Sequence, residues 1–218
     1  MHSQLRILIN NKDLAGLRSL LNEQPHFANE GIPYDDANST KAHPLHRICD
    51  GVFEKKYTDL EAVEMAKIFL EYGADPDGHR DGGMLVEKKD TPLIAASSLS
   101  ADKVGLLYID HGANIHHAGC HGGTAVHWAA WCGRDVLVKR LIEQGADINK
   151  LCIDFHSTPL FWAIHGYKFG EGQNLHHQIE CVRMLLEAGA DRSIPNFEGY
   201  KPIQLLDEED KELIELLT

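Results

Sequence analysis

The chain has 218 residues, with 21 Lys and Arg against 33 Asp and Glu, a formal net charge of −12 with His neutral. That length suits one large domain or two small ones, and 43% hydrophobic with 25% charged residues argues against wholesale disorder. The acidic balance argues against a phosphate grip on nucleic acid, which needs a basic face, and against docking on anionic lipid.

The first residues, MHSQLRILINNKDLAGL, hold a short apolar patch broken by Arg6, Asn10, Asn11 and Lys12. They lack the long apolar region and small-residue cleavage site of a signal peptide. No stretch reaches the ~18 apolar residues that span a bilayer. The five cysteines, Cys49, Cys120, Cys132, Cys152 and Cys181, are odd in number and show no CxxC spacing. Reduced thiols and a cytoplasmic setting are therefore expected. The 14 His are a high count for this length.

Taken in chain order, the elements repeat. Residues 1–40 carry an amphipathic helix, DLAGLRSLLNEQ, followed by Pro25, and read as an N-terminal cap. Residues 41–88 open with HPLHRIC and close with FLEYGADPD; residues 89–121 open with TPLIAAS and close with YIDHGANIH. Residues 122–154 open with TAVHWAA and close with LIEQGADIN; residues 155–198 open with TPLFWAI and close with LLEAGADRS. Residues 199–218 keep a weak opening, YKPIQLL, and end in a polar-faced helix that serves as the C-terminal cap. Where the opening phrase reads Thr-Pro, as at 91–92 and 158–159, Thr caps a helix and Pro sits where no N–H partner is needed. The second helix places apolar residues at helical spacing, as in Val136, Leu137, Leu141 and Ile142, and Gly145 ends it.

These phrases resemble the ankyrin repeat, with its Thr-Pro-Leu-His-x-Ala opening and Gly-Ala-Asp-x-Asn close, over nearly the whole chain. The resemblance implies an all-α ankyrin-repeat solenoid of about six helix-turn-helix units with projecting fingers, forming a single domain over 1–218. Two units depart in length. From the Pro position to the closing Gly the second runs 44 to 73 and the fifth 159 to 189, against 92 to 112 and 125 to 145. Inserts are expected near Asp50–Thr58 and Gly166–Gln173, with a longer finger around Gly78–Lys88. The run Asp207–Asp210 reads as a solvated acidic face at the last helix start.

His46 and His127 fall in the opening phrase's fourth slot, where the resemblance implies a structural hydrogen bond that fixes the finger. His117, Cys120 and His121, with Cys152 and His156 from the next finger, are candidate zinc ligands, although no spaced second pair supports them. Trp128 and Trp162 occupy one slot in successive units, and Trp131 lies on the same helical face as Trp128. His165 takes the Trp131 slot in the fifth unit; Arg47 and Asp50 take the two slots in the second. The resemblance places these first helices on a concave groove, charged towards the N-terminal end and aromatic towards units four and five. Such an aromatic cluster suits a binding hot spot, with Trp packing between helices as the structural alternative.

No GxSxG elbow, phosphate-cradling Gly loop or HExxH is present. The reading is therefore a monomeric, non-catalytic protein-interaction module without a cofactor, binding another protein through Arg47, Asp50, Trp128, Trp131, Trp162 and His165. Two alternatives stay open: an acidic immunity-type inhibitor of a basic partner such as a nuclease toxin, and a zinc-binding or metal-regulated protein.

Overall fold

A computed structural model describes residues 2–35, 37, 40–78, 89–170 and 175–218, without the side chains of His2 and Ser3. The long finger expected at Gly78–Lys88 lies almost wholly outside the described residues, as does the end of the second insert. The chain forms two compact units, Met1–Asn114 and Ile115–Thr218.

In the first unit α1 (His2–Asn10) and α2 (Leu14–Glu23) form the cap, and a 3-10 turn follows at Pro25–Ala28. A short antiparallel hairpin, β1 (Ile32–Pro33) with β2 (Lys41–Ala42), leads into α3 (Pro44–Phe53) and α4 (Asp59–Glu71), then α5 (Pro92–Ser98) and α6 (Asp102–Asp110). The second unit holds α7 (Ala125–Trp131) with α8 (Asp135–Glu143), α9 (Pro159–Phe169) with α10 (Leu175–Glu187), and α11 (Lys211–Leu217) behind a 3-10 turn at Pro202–Leu205. Within each unit first helices pack on first helices, α3 on α5 and α7 on α9. Second helices pack on second helices, α2 on α4, α4 on α6 and α8 on α10. Each helix pair therefore buries its apolar face mainly against its neighbour, through residues such as Leu45, Ile48, Leu93 and Tyr108 in one unit and Leu137, Leu141, Leu160 and Leu185 in the other.

The helix ends follow from the repeated phrases. Thr91 and Thr158 hydroxyls accept the Ile94 and Phe161 N–H groups (3.3 Å each), and His43 substitutes for Thr by accepting from Leu45 N–H through Nδ1 (3.3 Å). The closing glycines Gly73, Gly112, Gly145 and Gly189 all take left-handed φ of 82–93°, which a Cβ would penalise. Fingers are tied by side-chain oxygens one finger back: Asp77 accepts from Asn114 N–H (2.7 Å) and Asn149 from Asp191 N–H (2.8 Å).

The two expected inserts are partly helical. α3 and α9 run 10 and 11 residues, whereas α5 and α7 run 7 each. Both long helices carry Gly seven residues after their Pro, at Gly51 and Gly166. The reason is close packing: a Cβ on Gly51 would lie 2.1 Å from the Tyr57 hydroxyl, and one on Gly166 would lie 2.2 Å from the Trp131 carbonyl oxygen. The acidic run near the C-terminus is not simply a solvated face. Asp207 and buried Asp210 hold the Lys168 ammonium at 2.8 and 2.6 Å, fastening the added turn of α9 to the cap.

Candidate functional site

The second unit contains an open cavity of about 450 Å³. Its wall is built from two sources. Trp128 and Trp131 on α7 and Phe161, Trp162 and His165 on α9 supply the helical side. His121, Phe155, Ser157, Asn196, Phe197 and Glu198 come from the loops that precede α7, α9 and the Pro202 turn. Helical spacing explains the first set: residues three apart on one helix share a face, and α7 lies against α9, so the two pairs meet.

The rings interlock at defined angles. Trp162 meets Trp128 at 5.1 Å and 79° between planes, and Trp131 at 5.9 Å and 73°, both edge-to-face. Trp131 stacks on His165 at 4.7 Å and 25°. Phe155 closes from the loop side, 6.3 Å from Trp162 and 5.6 Å from His121. Trp162 is only 5% exposed and forms the floor, its Nε1–H donating to Ser157 Oγ (3.1 Å). Phe155 and Phe197 are 43% and 61% exposed and form the rim.

Hydrogen bonding is incomplete on the helical side. The Trp128 indole N–H and His165 Nδ1 are buried and find no hydrogen-bond partner among the described residues. Burial without a partner costs about 1–3 kcal/mol per group. Burial also pushes the His165 pKa down, towards the neutral ring. The Gly123 backbone lies close beneath: a Cβ there would meet the Trp162 ring at 3.1 Å and Trp128 Nε1 at 3.3 Å.

The structural histidine is satisfied. His127 accepts from Thr124 N–H through Nδ1 (3.1 Å), leaving Nε2–H to donate to the Lys150 carbonyl (3.1 Å), which fastens the finger to α7. Burial, ahead of all other causes, pulls its pKa down to about 4.

The other sequence candidates have different surroundings. Arg47 and Asp50 lie in the first unit and form an ion pair there. Arg47 also donates to the Ile32 carbonyl (3.0 Å) and the Thr40 carbonyl (3.4 Å) and lies over the Tyr34 ring, 5.1 Å from its centre. It is 6% exposed and braces the hairpin. Among the proposed zinc ligands, Cys152 is buried with Sγ 3.4 Å from Ser157 Oγ, and His121 Nδ1 pairs with Asp154 at 2.8 Å. His156 is exposed in a left-handed turn, φ 44°. No group of three or more His, Cys, Asp or Glu among the described residues is placed to hold a metal ion. Nor is any helix among them long and apolar enough to cross a membrane.

Sequence reasoning missed the loop half of the wall. A signal for it existed: His121, Phe155 and Glu198 each stand four residues before the first position of the following helix or 3-10 turn. One register therefore feeds three successive side chains into the same cavity.

The chain matches the family model described as ankyrin repeats (3 copies) over residues 58–152 and 104–196. Among curated proteins it is 34% identical over 97 residues to the putative palmitoyltransferase ZDHHC13 of Danio rerio, covering 44% of this chain and 14% of that one. It is 28% identical over 174 residues to the ankyrin repeat protein OPG189 of Variola virus, covering 77% and 27%. The chain thus spans well under a third of the length of either relative. Among solved structures, an ankyrin repeat domain from Acinetobacter baumannii AYE superposes with a TM-score of 0.75 at 22% identity, covering 98% of this chain and 95% of that one.

Proposed function

This chain belongs to the ankyrin-repeat family, a fold of protein-interaction modules, and we propose that it recognises its partner through the aromatic cavity of its second unit. The observation that carries this reading is the convergence of all three tryptophans of the chain on one open cavity. A packed core would enclose such rings, and a solvated surface would not gather them. The walls are already formed and braced by Ser157, Gly123 and the edge-to-face contacts, so docking orders few new side chains. Arg47 and Asp50 are left out of this surface because both are committed to bracing the first unit's hairpin. The module is non-catalytic on this reading; the palmitoyltransferase likeness covers a minor part of those proteins and brings no activity with it.

A random-peptide display library selected on the intact chain tests the proposal. Selected peptides are expected to lose roughly 2 kcal/mol or more, about thirtyfold, on Trp131→Ala, with the far-ultraviolet spectrum unchanged. Peptides that bind both forms equally would remove the cavity from the interface.

A further inference from the structure

The chemistry of the wall singles out one kind of anchor. Three indoles and the rings of Phe155 and Phe197 surround the space, Glu198 stands exposed at its edge, and no Lys or Arg is among the described lining residues. The faces of aromatic rings carry negative potential, and Trp attracts a cation over its face most strongly. Edge-to-face contact favours that use, because one ring of each pair gives only its edge to its neighbour. Neither imidazole opposes it. Burial holds His165 towards its neutral form, and His121 Nδ1 is paired with the Asp154 carboxylate at 2.8 Å. Charge complementarity over the chain, at −12, runs in the same direction.

We propose that the cavity takes the cationic head of a Lys or Arg side chain from a basic segment of the partner, held over the indoles and balanced by Glu198. This rests on the cavity being the docking site and adds the identity of the anchor. The space fits it: about 450 Å³ lies within the roughly 300–1,000 Å³ of small-molecule sites, ample for one long side chain and its neighbours.

All three tryptophans line the cavity, so the intrinsic fluorescence of the chain reports on it directly. The intact chain is titrated with acetyl-Nε-trimethyllysine amide and with its neutral isostere, in which a tert-butyl group replaces trimethylammonium. The cation is expected to bind about tenfold tighter than the isostere. Glu198→Gln, at an exposed position, should weaken the cation several-fold and leave the isostere unchanged. Equal or tighter binding of the isostere overturns the proposal, as does the absence of a fluorescence response to either compound. The peptide selection separates the two failures. Selected peptides that need Trp131 but show no Lys or Arg enrichment leave the docking site standing and remove the cationic anchor. Peptides indifferent to Trp131 remove both.

Discussion

In the second repeat the pair of slots three and six residues after the opening proline holds Arg47 and Asp50; in the fifth it holds Trp162 and His165. The helices around them match closely. α3 and α9 are both lengthened by about a turn, and both carry a glycine at the next position, Gly51 and Gly166. What differs is the segment ahead of each helix. Ahead of α3 the hairpin presents the Ile32 and Thr40 carbonyls and the Tyr34 ring, and Arg47 closes on all three. Ahead of α9 the loop presents Phe155 and Ser157, which line a space instead of filling it. The slot fixes where a side chain points, and the preceding finger decides whether that direction ends in a brace or a binding surface.

Truncation at the two slots should break the pattern in different ways. Trp162→Ala is expected to cost about 4 kcal/mol of stability in urea unfolding, since it deletes a buried indole on which four other aromatic side chains rest. A loss below about 1 kcal/mol would show that the floor of the cavity is dispensable. Arg47→Ala should cost about 3 kcal/mol, because it removes the ion pair to Asp50, the guanidinium donor to the Ile32 carbonyl and one of the donors to the Thr40 carbonyl. Adding Asp50→Ala to that variant should recover part of the loss, and a strictly additive double variant would count against the ion pair.

The fourth slot sharpens the comparison, since it is His127 in one repeat and Phe161 in the next. The folded-state pKa of His127, about 4, lies below its ordinary 6.5, so the unfolded chain binds the extra proton first. Stability is therefore full above pH 6.5 and falls as the pH drops towards 4. The gap corresponds to about 3 kcal/mol at most, set by this one buried ring. Unfolding measured at pH 7 and pH 4.5 should show the loss, and His127→Phe should flatten that part of the profile. An unchanged profile would assign the acid sensitivity elsewhere.

How much of this was legible follows from where the chain is periodic. The opening and closing phrases recur because every repeat must cap a first helix and end a second one, so fold, helix starts and left-handed glycines could be read in advance. The tryptophans of α7 and α9 were visible for the same reason. The loop side was not, because fingers carry no helical period, and Phe155 and Glu198 stand out only once the register to the next helix or 3-10 turn is known. Arg47 and Asp50 read as groove residues because a slot reveals direction and says nothing of what covers it. His121 and His156 drew attention as zinc ligands by composition. The backbone instead places both in left-handed turns, φ 60° and 44°, one paired with Asp154 and the other in solvent.

The smallest effect tests the shared glycines. In Gly166→Ala the new methyl would meet the Trp131 carbonyl oxygen at 2.2 Å, the same oxygen that accepts from Gln178 Nε2 at 2.8 Å. Backbone cannot swing aside as a side chain can, so α9 must move away from α7, at a cost of about 2 kcal/mol. The His165 stack on Trp131 depends on that spacing, so tryptophan fluorescence should change together with stability. In Gly51→Ala the obstacle is the outer edge of the buried Tyr57 ring, its hydroxyl at 2.1 Å and Cζ at 2.2 Å, a side chain that can shift by giving up its bond to the Ile48 carbonyl at 3.2 Å. Its cost should be nearer 1 kcal/mol, with fluorescence unaltered, because no tryptophan lies in the first unit. Equal costs and equally silent fluorescence would mean that the close approach of α7 and α9 is not what shapes the cavity.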